Sequence, residues 1–285
     1  MNPASSRAGT RTPVRGSNRP HTVFVFIVLA VGIFALAGLV RPAVARASGP
    51  HIDHLTFDRD VDPASTQFID DAISTAESDG ATLLVVTLDT PGGDLNSLKE
   101  ITTTELNATV PIAVYVAPQG ARAASAGMFI ALSAPIVAMA PNTRIGASSP
   151  IDSSGQNLGS TLDQKIKNDL DAELRSTQQA YGRDATLPQE AVDSAKSFDD
   201  AEALGDHMVN LSAQSYTDLL GQLNGYYGHF SNGQPFTLHT AGVETQELQA
   251  TFFNQLQTVF LDPNVLFLLF IAAAICIYLE LAHPG

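Results

Sequence analysis

The sequence contains one cysteine, Cys276, and no acidic residue before His51. A single cysteine excludes an intramolecular disulfide and leaves the redox compartment undetermined. The segment before His51 carries six arginines instead, namely Arg7, Arg11, Arg15, Arg19, Arg41 and Arg46. The chain has 15 basic and 29 acidic residues and a net charge of −14, so without those arginines 9 basic residues face 29 acidic ones, or −20. Such acidity disfavours nucleic acid, whose phosphates need basic partners, and we expect no nucleic-acid partner.

An apolar run near the N-terminus predicts export. Residues 1–20 form a polar, basic region that we expect to be disordered. Residues 21–47 predict a signal peptide or a membrane anchor, because the uncharged stretch 22–40 would span roughly 28 Å as a helix. The Ala-Arg-Ala sequence at 45–47 fits a signal-peptide cleavage site. Both alternatives place the following domain outside the cytoplasm, because basic flanks stay inside.

A second apolar run lies within residues 251–285 and predicts an interfacial segment followed by a C-terminal transmembrane helix. Residues 265–279 are uncharged and rich in leucine, isoleucine and phenylalanine, which favours a membrane location. The run is short for a bilayer span, so a buried core helix is the alternative.

Between these runs, the hydrophobic pattern predicts an α/β domain over residues 48–212. Continuous apolar stretches such as "ATLLVVTLD" and "PIAVYVA" indicate buried parallel strands, and the segments between them have helical periodicity. This order predicts a layered parallel sheet with right-handed crossovers. Residues 213–250 predict an extension with a helix and a hairpin that turns at Asn232-Gly233.

Ser125 is the first candidate for chemistry, within "GARAASAGMF". It follows a predicted strand and opens a predicted helix, where free N–H groups favour developing negative charge. The plain alternative is a helix-capping serine in a small-residue contact.

The sequence "DTPGGD" also follows a central strand, so it should lie at the same sheet edge as Ser125. Paired glycines allow close backbone approach, and acyl transfer needs N–H donors for an oxyanion.

A serine nucleophile needs a base, and few candidates exist. No histidine occurs between His54 and His207, and we expect His207 to begin a strand as a surface or edge residue rather than to act in catalysis.

Lysine is the other choice, but to act as a base its pKa must fall by roughly 3 units, at a cost of about 4 kcal/mol. Lys165 and Lys167 begin a predicted amphipathic helix over residues 162–181, and helical geometry favours neither. Ordinary surface pairs with Asp169 and Asp171 are the alternative. The helix has a predicted apolar stripe of Leu162, Ile166, Leu170 and Leu174.

The motifs "LDTPGGDLNS", "YVAPQGARAASAGMFIALSAPIVAMAPNTRIGASSPI", "GRDA" and "IYLELAHPG" resemble the NfeD-type membrane-bound serine proteases, or stomatin operon partner proteins. The resemblance implies a Clp-protease/crotonase-like fold and a Ser–Lys dyad without a metal or cofactor. It puts the nucleophile on Ser125, the base on Lys165 with Lys167 as the fallback, and the oxyanion donors on Gly93 and Ala126. Gly92 supports the turn. Long members continue past the segment that ends here at Gly285, which indicates truncation.

The resemblance implies a membrane-tethered serine endopeptidase that cleaves apolar stretches of membrane-associated proteins, such as a stomatin-like partner. A homodimer is expected by analogy. A non-catalytic scaffold that binds a stomatin-like protein is the alternative. A CoA-thioester enzyme is a third hypothesis, and export argues against it. Arg122, three residues before Ser125, departs from the family pattern; it would either repel a neighbouring lysine cation or be solvated.

Overall fold

The structure is a computed structural model that describes residues 49–151, 159–249 and 263–282. Backbone contacts divide the chain into two units, one of Ala45–Thr258 and one of Met1–Val44 with Val259–Gly285. The predictions for residues 1–20, for the signal or anchor segment up to residue 47 and for the interfacial segment up to residue 262 lie outside the described residues.

The elements alternate along the chain as the hydrophobic pattern predicts. The described strands are β1 His51–Phe57, β2 Leu83–Leu88, β3 Ile112–Val116, β4 Arg122–Ala124, β5 Ile136–Met139, β6 Arg144–Gly146, β7 Ser197–Asp199, β8 Leu211–Ser212, β9 Tyr227–His229, β10 Pro235–Thr237 and β11 Glu244–Leu248. The described helices are α1 Pro63–Asp79, α2 Leu95–Asn107, α3 Ala126–Ser133, α4 Ser160–Ala180, α5 Thr186–Ser194, α6 Asp200–Gly205, α7 Tyr216–Leu223 and α8 Pro263–Ala282.

A six-stranded parallel sheet in the order β11-β1-β2-β3-β5-β8 forms the centre of the larger unit. Its central strands are mostly apolar because both faces are covered. Side chains of one face pack with α1, α2, α3 and α4, while those of the other face pack with α7 and Leu238. The prediction of a layered α/β domain with a parallel sheet is therefore confirmed.

The region after residue 212 contains the predicted helix and hairpin, since β9 and β10 pair antiparallel around Asn232-Gly233. Its last strand, β11, pairs with β1 and so extends the central sheet. The predicted strand at residues 207–213 is wrong in its extent. His207 lies in a turn with φ +56°, and only Leu211–Ser212 forms β8.

A second, smaller sheet was not predicted. It consists of β4, β6 and β7, each of three residues, with β4 parallel and β7 antiparallel to β6. Three residues are too few to show a period of two, so the hydrophobic pattern carries no signal for them. This sheet matters for function because β4 leads directly into Ser125.

The predicted stripe on α4 is correct for three of its four members. Leu170 and Leu174 are buried and Ile166 packs against the core, but Leu162 is 51% exposed. The first turns of α4 are thus more open to solvent than the periodicity indicates.

Helix α8 forms the described part of the smaller unit, at the position where the sequence predicts a transmembrane helix. Within the ranges that the structure describes, none of the helices combines the length and the apolar character that crossing a membrane requires. The transmembrane assignment of this segment stays a prediction.

Candidate active site

Ser125 joins β4 to α3 in a strained backbone conformation, with φ +54° and ψ −121°. Such a conformation costs a non-glycine residue on the order of 1–3 kcal/mol and persists only where surrounding contacts impose it. Here the Ser125 N–H donates to the Gly146 carbonyl at 2.9 Å. The Ser125 side chain makes no capping hydrogen bond within the described chain, and the residue is half-buried. Ser125 thus occupies the N-cap position of α3, as the alternative expects, but its side chain does not cap the helix and the hydroxyl is left available.

The glycine turn after β2 lies directly against Ser125, as the sequence predicts. Thr90 pairs with Ala123 and Gly93 with Val61 through isolated parallel bridges, which hold the turn between two segments. At Gly92, with φ +103°, an added Cβ would lie 2.5 Å from Ser125 Cβ and 3.0 Å from the Ala126 nitrogen. Only glycine leaves enough space at that position.

Two backbone N–H groups in this region have no hydrogen-bond partner among the described residues, one in the residue after Ser125 and one in the residue after Gly92. Ala126 is the first residue of α3, where the helix itself provides no acceptor. Gly93 is exposed, and an added Cβ there would meet the Val61 carbonyl oxygen at 1.9 Å. Among the described residues, neither N–H donates a hydrogen bond. Both N–H groups are thus available to an incoming oxygen.

Two side chains that the sequence interpretation missed, those of Thr90 and Ser148, shape this site. The Thr90 hydroxyl accepts the Gly92 N–H at 3.1 Å, and its methyl group occupies the space that a side chain at position 127 would need. The Ser148 hydroxyl is buried and lies 3.1 Å from both the Ser125 and the Gly146 carbonyl oxygens. The small-residue run "GASS" is the one sequence signal for this contact.

The far end of α3 is fixed by Arg183, from the "GRDA" motif. Its buried guanidinium donates to the Leu132 and Ala134 carbonyl oxygens and to Asn210 Oδ1. Burial lowers the pKa of Arg183 to about 10, so the side chain stays protonated near neutral pH. A cation at the C-terminus of a helix satisfies its last carbonyls and complements its dipole. Arg183 therefore holds the helix that begins at Ser125.

The two candidate lysines lie on the open first half of α4 and differ in their contacts. Lys167 forms an ion pair with Asp163 at 3.3 Å and donates to the Asp193 carbonyl at 3.2 Å. Lys165 is exposed and has no hydrogen bond or ion pair among the residues described. In particular, no hydrogen bond joins it to Ser125.

The predicted surface pairs of these lysines are wrong. Asp169 instead bonds to Lys99 on α2 at 3.0 Å, since a neighbouring helix presents a closer cation. Asp171 is buried rather than at the surface, and burial raises its pKa. Arg122 is exposed, which agrees with the solvated alternative for its side chain.

Comparison with known proteins identifies relatives for most of the larger unit. Residues 52–226 match the family model described as NfeD1b, N-terminal domain. The chain is 36% identical over 216 residues to the membrane-bound protease PH1510 of Pyrococcus horikoshii, covering 75% of this chain and 49% of that protein. It is 28% identical over 180 residues to the membrane protein NfeD1b of Bacillus subtilis, covering 63% and 39%. The chain thus spans about half or less of these relatives' length.

Solved structures of the 1510-N protease have a similar fold. The 1510-N membrane protease specific for a stomatin homolog from Pyrococcus horikoshii superposes with a TM-score of 0.64 at 29% identity, covering 75% of this chain and 100% of that one. A lysine-to-alanine mutant of the 1510-N protease in complex with a substrate peptide gives 0.68 at 30% identity, covering 74% and 98%. A serine-to-alanine mutant gives 0.65 at 31%, covering 70% and 98%.

Proposed function

This chain belongs to the NfeD1b family, and we propose on that premise that it is a membrane-tethered serine endopeptidase with a Ser–Lys dyad. The observation that carries the proposal is the strained Ser125, which packs against the Gly92 turn and whose hydroxyl has no hydrogen bond among the described residues. The N–H groups of the neighbouring Ala126 and of Gly93, which follows Gly92, also lack a partner in that part of the chain. Two 1510-N structures, one with a serine and one with a lysine replaced by alanine, support a serine and a lysine as the reacting residue types. The lysine mutant is in complex with a substrate peptide.

In the proposed reaction, Ser125 Oγ attacks the carbonyl carbon of the scissile peptide bond, and the Lys165 amine takes the hydroxyl proton. The N–H groups of Gly93 and Ala126 bind the oxyanion of the tetrahedral intermediate. The protonated lysine then gives its proton to the leaving amine, and an acyl-enzyme remains on Ser125. Water hydrolyses that ester, with Lys165 again acting as the base.

Contacts on α4 favour Lys165 over Lys167 as the base. The Asp163 carboxylate and the Asp193 carbonyl both bind the Lys167 side chain and so fix its position. No described partner holds Lys165 away from Ser125. Apolar surroundings lower the pKa of a lysine amine towards neutral pH. We therefore infer that a bound apolar peptide covers Lys165 and desolvates it, beside the exposed Leu162.

We propose that the substrate is an apolar stretch of a membrane-associated protein, such as a stomatin-like partner. The Pyrococcus horikoshii enzyme is described as specific for a stomatin homolog, and both curated relatives are named as membrane proteins. The N-terminal run, cleaved or uncleaved, and the C-terminal helix are the proposed signal, anchor and transmembrane elements. We place the catalytic domain outside the cytoplasm and expect it to act as a homodimer.

The test is cleavage of an apolar peptide by the wild-type chain and by Ser125→Ala. The proposal predicts cleavage by the wild type and none by the variant, with an unchanged circular-dichroism spectrum. Equal cleavage by the two proteins would refute the nucleophile assignment.

A non-catalytic scaffold is the second candidate, and the missing hydrogen bond between Ser125 and Lys165 favours it. The two candidates differ in what Lys165→Ala does. An enzyme loses cleavage in that variant, whereas a scaffold binds a stomatin-like protein as before and has no cleavage to lose.

A further inference from the structure

A buried cluster of one histidine and two aspartates lies where the parallel strands begin, whereas Ser125 lies where they end. His51 begins β1, Asp53 follows on the same side of that strand, and Asp79 ends α1. Ser125 lies beyond the other end of the parallel strands, roughly 20 Å away along a six-residue strand. The proposed peptidase reaction uses none of these three side chains.

The hydrogen bond of His51 determines which ring nitrogen faces the aspartates. Nδ1 lies 3.1 Å from the Gly49 carbonyl, which can only accept, so Nδ1 carries a proton. In the neutral ring, the lone pair is therefore on Nε2. This atom is fully buried and has no hydrogen-bond partner in the described structure. It lies 3.3 Å from Asp79 Oδ1 and 3.7 Å from Asp53 Oδ1.

A lone pair that faces two carboxylates needs a positive charge between them. A proton on Nε2 supplies one positive charge, whereas a divalent metal ion supplies two and bonds to all three groups directly. The carboxylates of Asp53 and Asp79 also interact with other groups, so they are not the basis of the inference. The basis is that the buried Nε2 of His51 faces both carboxylates.

The ligand spacing fits a first-row divalent metal ion. The three donor atoms lie within 4.8 Å of one another. Two ligands at about 2.1 Å from a tetrahedral zinc ion are roughly 3.4 Å apart, which is close to the two distances from Nε2. One imidazole with two carboxylates is a donor set that zinc accepts in proteins.

We propose that His51, Asp53 and Asp79 bind one zinc ion, which links the start of β1 to the end of α1. The ion would act on stability rather than on catalysis, because it fixes the first strand of the domain to the first helix far from Ser125.

The test uses the 285-residue chain, made metal-free with a chelator and titrated with Zn²⁺ against a chromophoric competitor. Co²⁺ serves as a spectroscopic substitute. We expect one Zn²⁺ per chain, a tetrahedral Co²⁺ spectrum and a higher melting temperature with metal. Asp79→Asn and His51→Gln should weaken Zn²⁺ binding by at least about tenfold. His239→Gln, which changes an exposed histidine, should bind as the wild type does.

Absence of Zn²⁺ binding to the wild type, or unchanged binding in both cluster variants, would overturn the proposal and leave a buried histidine–aspartate ion pair. If neither variant folds, X-ray absorption of the zinc-loaded wild type decides. The proposal requires one nitrogen ligand among oxygen ligands, and two or more imidazoles would place the zinc elsewhere.

Discussion

Replacement of Gly92 by alanine tests whether contact with the glycine turn holds Ser125 in place. The new Cβ would lie 2.5 Å from Ser125 Cβ, whereas ordinary contact begins at 3.4 Å. Ser125 or the turn must therefore move by about 0.9 Å. A misplacement near 1 Å in an active site costs about 10²-fold in rate, or roughly 2.7 kcal/mol of transition-state stabilisation.

The same substitution also has a backbone cost that must be separated from the contact. Alanine at the positive φ of position 92 costs about 1–3 kcal/mol. Gly225 is the matched control, because its φ of +84° is similar and nothing lies within 4 Å of an added Cβ. Gly225→Ala should lower the melting temperature by roughly 2–4 °C for each kcal/mol lost and leave activity unchanged.

The assay is the rate of peptide cleavage together with the rate of labelling by a fluorophosphonate probe. Gly92→Ala should lower both about 100-fold at a temperature where the protein is folded. A folded Gly92→Ala variant that is labelled and cleaves at the wild-type rate would show that Ser125 does not depend on this contact.

Three further predictions concern the base, the support of the nucleophile and a buried acid. Lys165→Met should reduce cleavage by about 10²–10⁴-fold while Lys167→Met stays near wild type; the reverse result would exchange their roles. Ser148→Ala should lower the free energy of unfolding by about 1 kcal/mol and should lower kcat by a larger factor than it changes KM. If kcat and KM changed by the same factor, the result would contradict a positioning role for Ser148. Burial, and then the nearby Asp70 carboxylate, raise the pKa of Glu105 well above its ordinary value, so the folded state keeps a proton that the unfolded chain releases. The free energy of unfolding should therefore fall as pH rises from roughly 4.3 towards the folded-state pKa. Across that range the melting temperature of Glu105→Gln should rise relative to that of the wild type. A difference in melting temperature that stays constant with pH would exclude this linkage.

The parts of the fold that the sequence predicts are those in which burial leaves a long pattern. The strand from Leu83 to Leu88 is apolar at every position except Thr87, because the sheet is covered on both faces. The rule that parallel strands end at one edge was enough to bring "PGG" next to Ser125. Both inferences need only the local amino-acid sequence and a general rule of α/β architecture.

The parts that the sequence does not predict depend on contacts between distant segments. Gly146 and Ser148 support Ser125 from a three-residue strand and the residues after it, and no periodicity marks them. Asp169 bonds to Lys99 because α2 and α4 come together, which intrahelical spacing cannot show. The cluster at His51 joins residues up to 28 positions apart, and alternation within β1 gives no sign of Asp79.

The most direct test of the account is labelling of the wild-type chain and of Ser125→Ala with a fluorophosphonate probe, followed by mapping of the modified residue by mass spectrometry. The account predicts a single labelled residue, Ser125, in the wild type and no labelling of the folded variant. Labelling of both proteins to the same extent, or labelling of the wild type at a residue other than Ser125, would contradict an activated serine at this site.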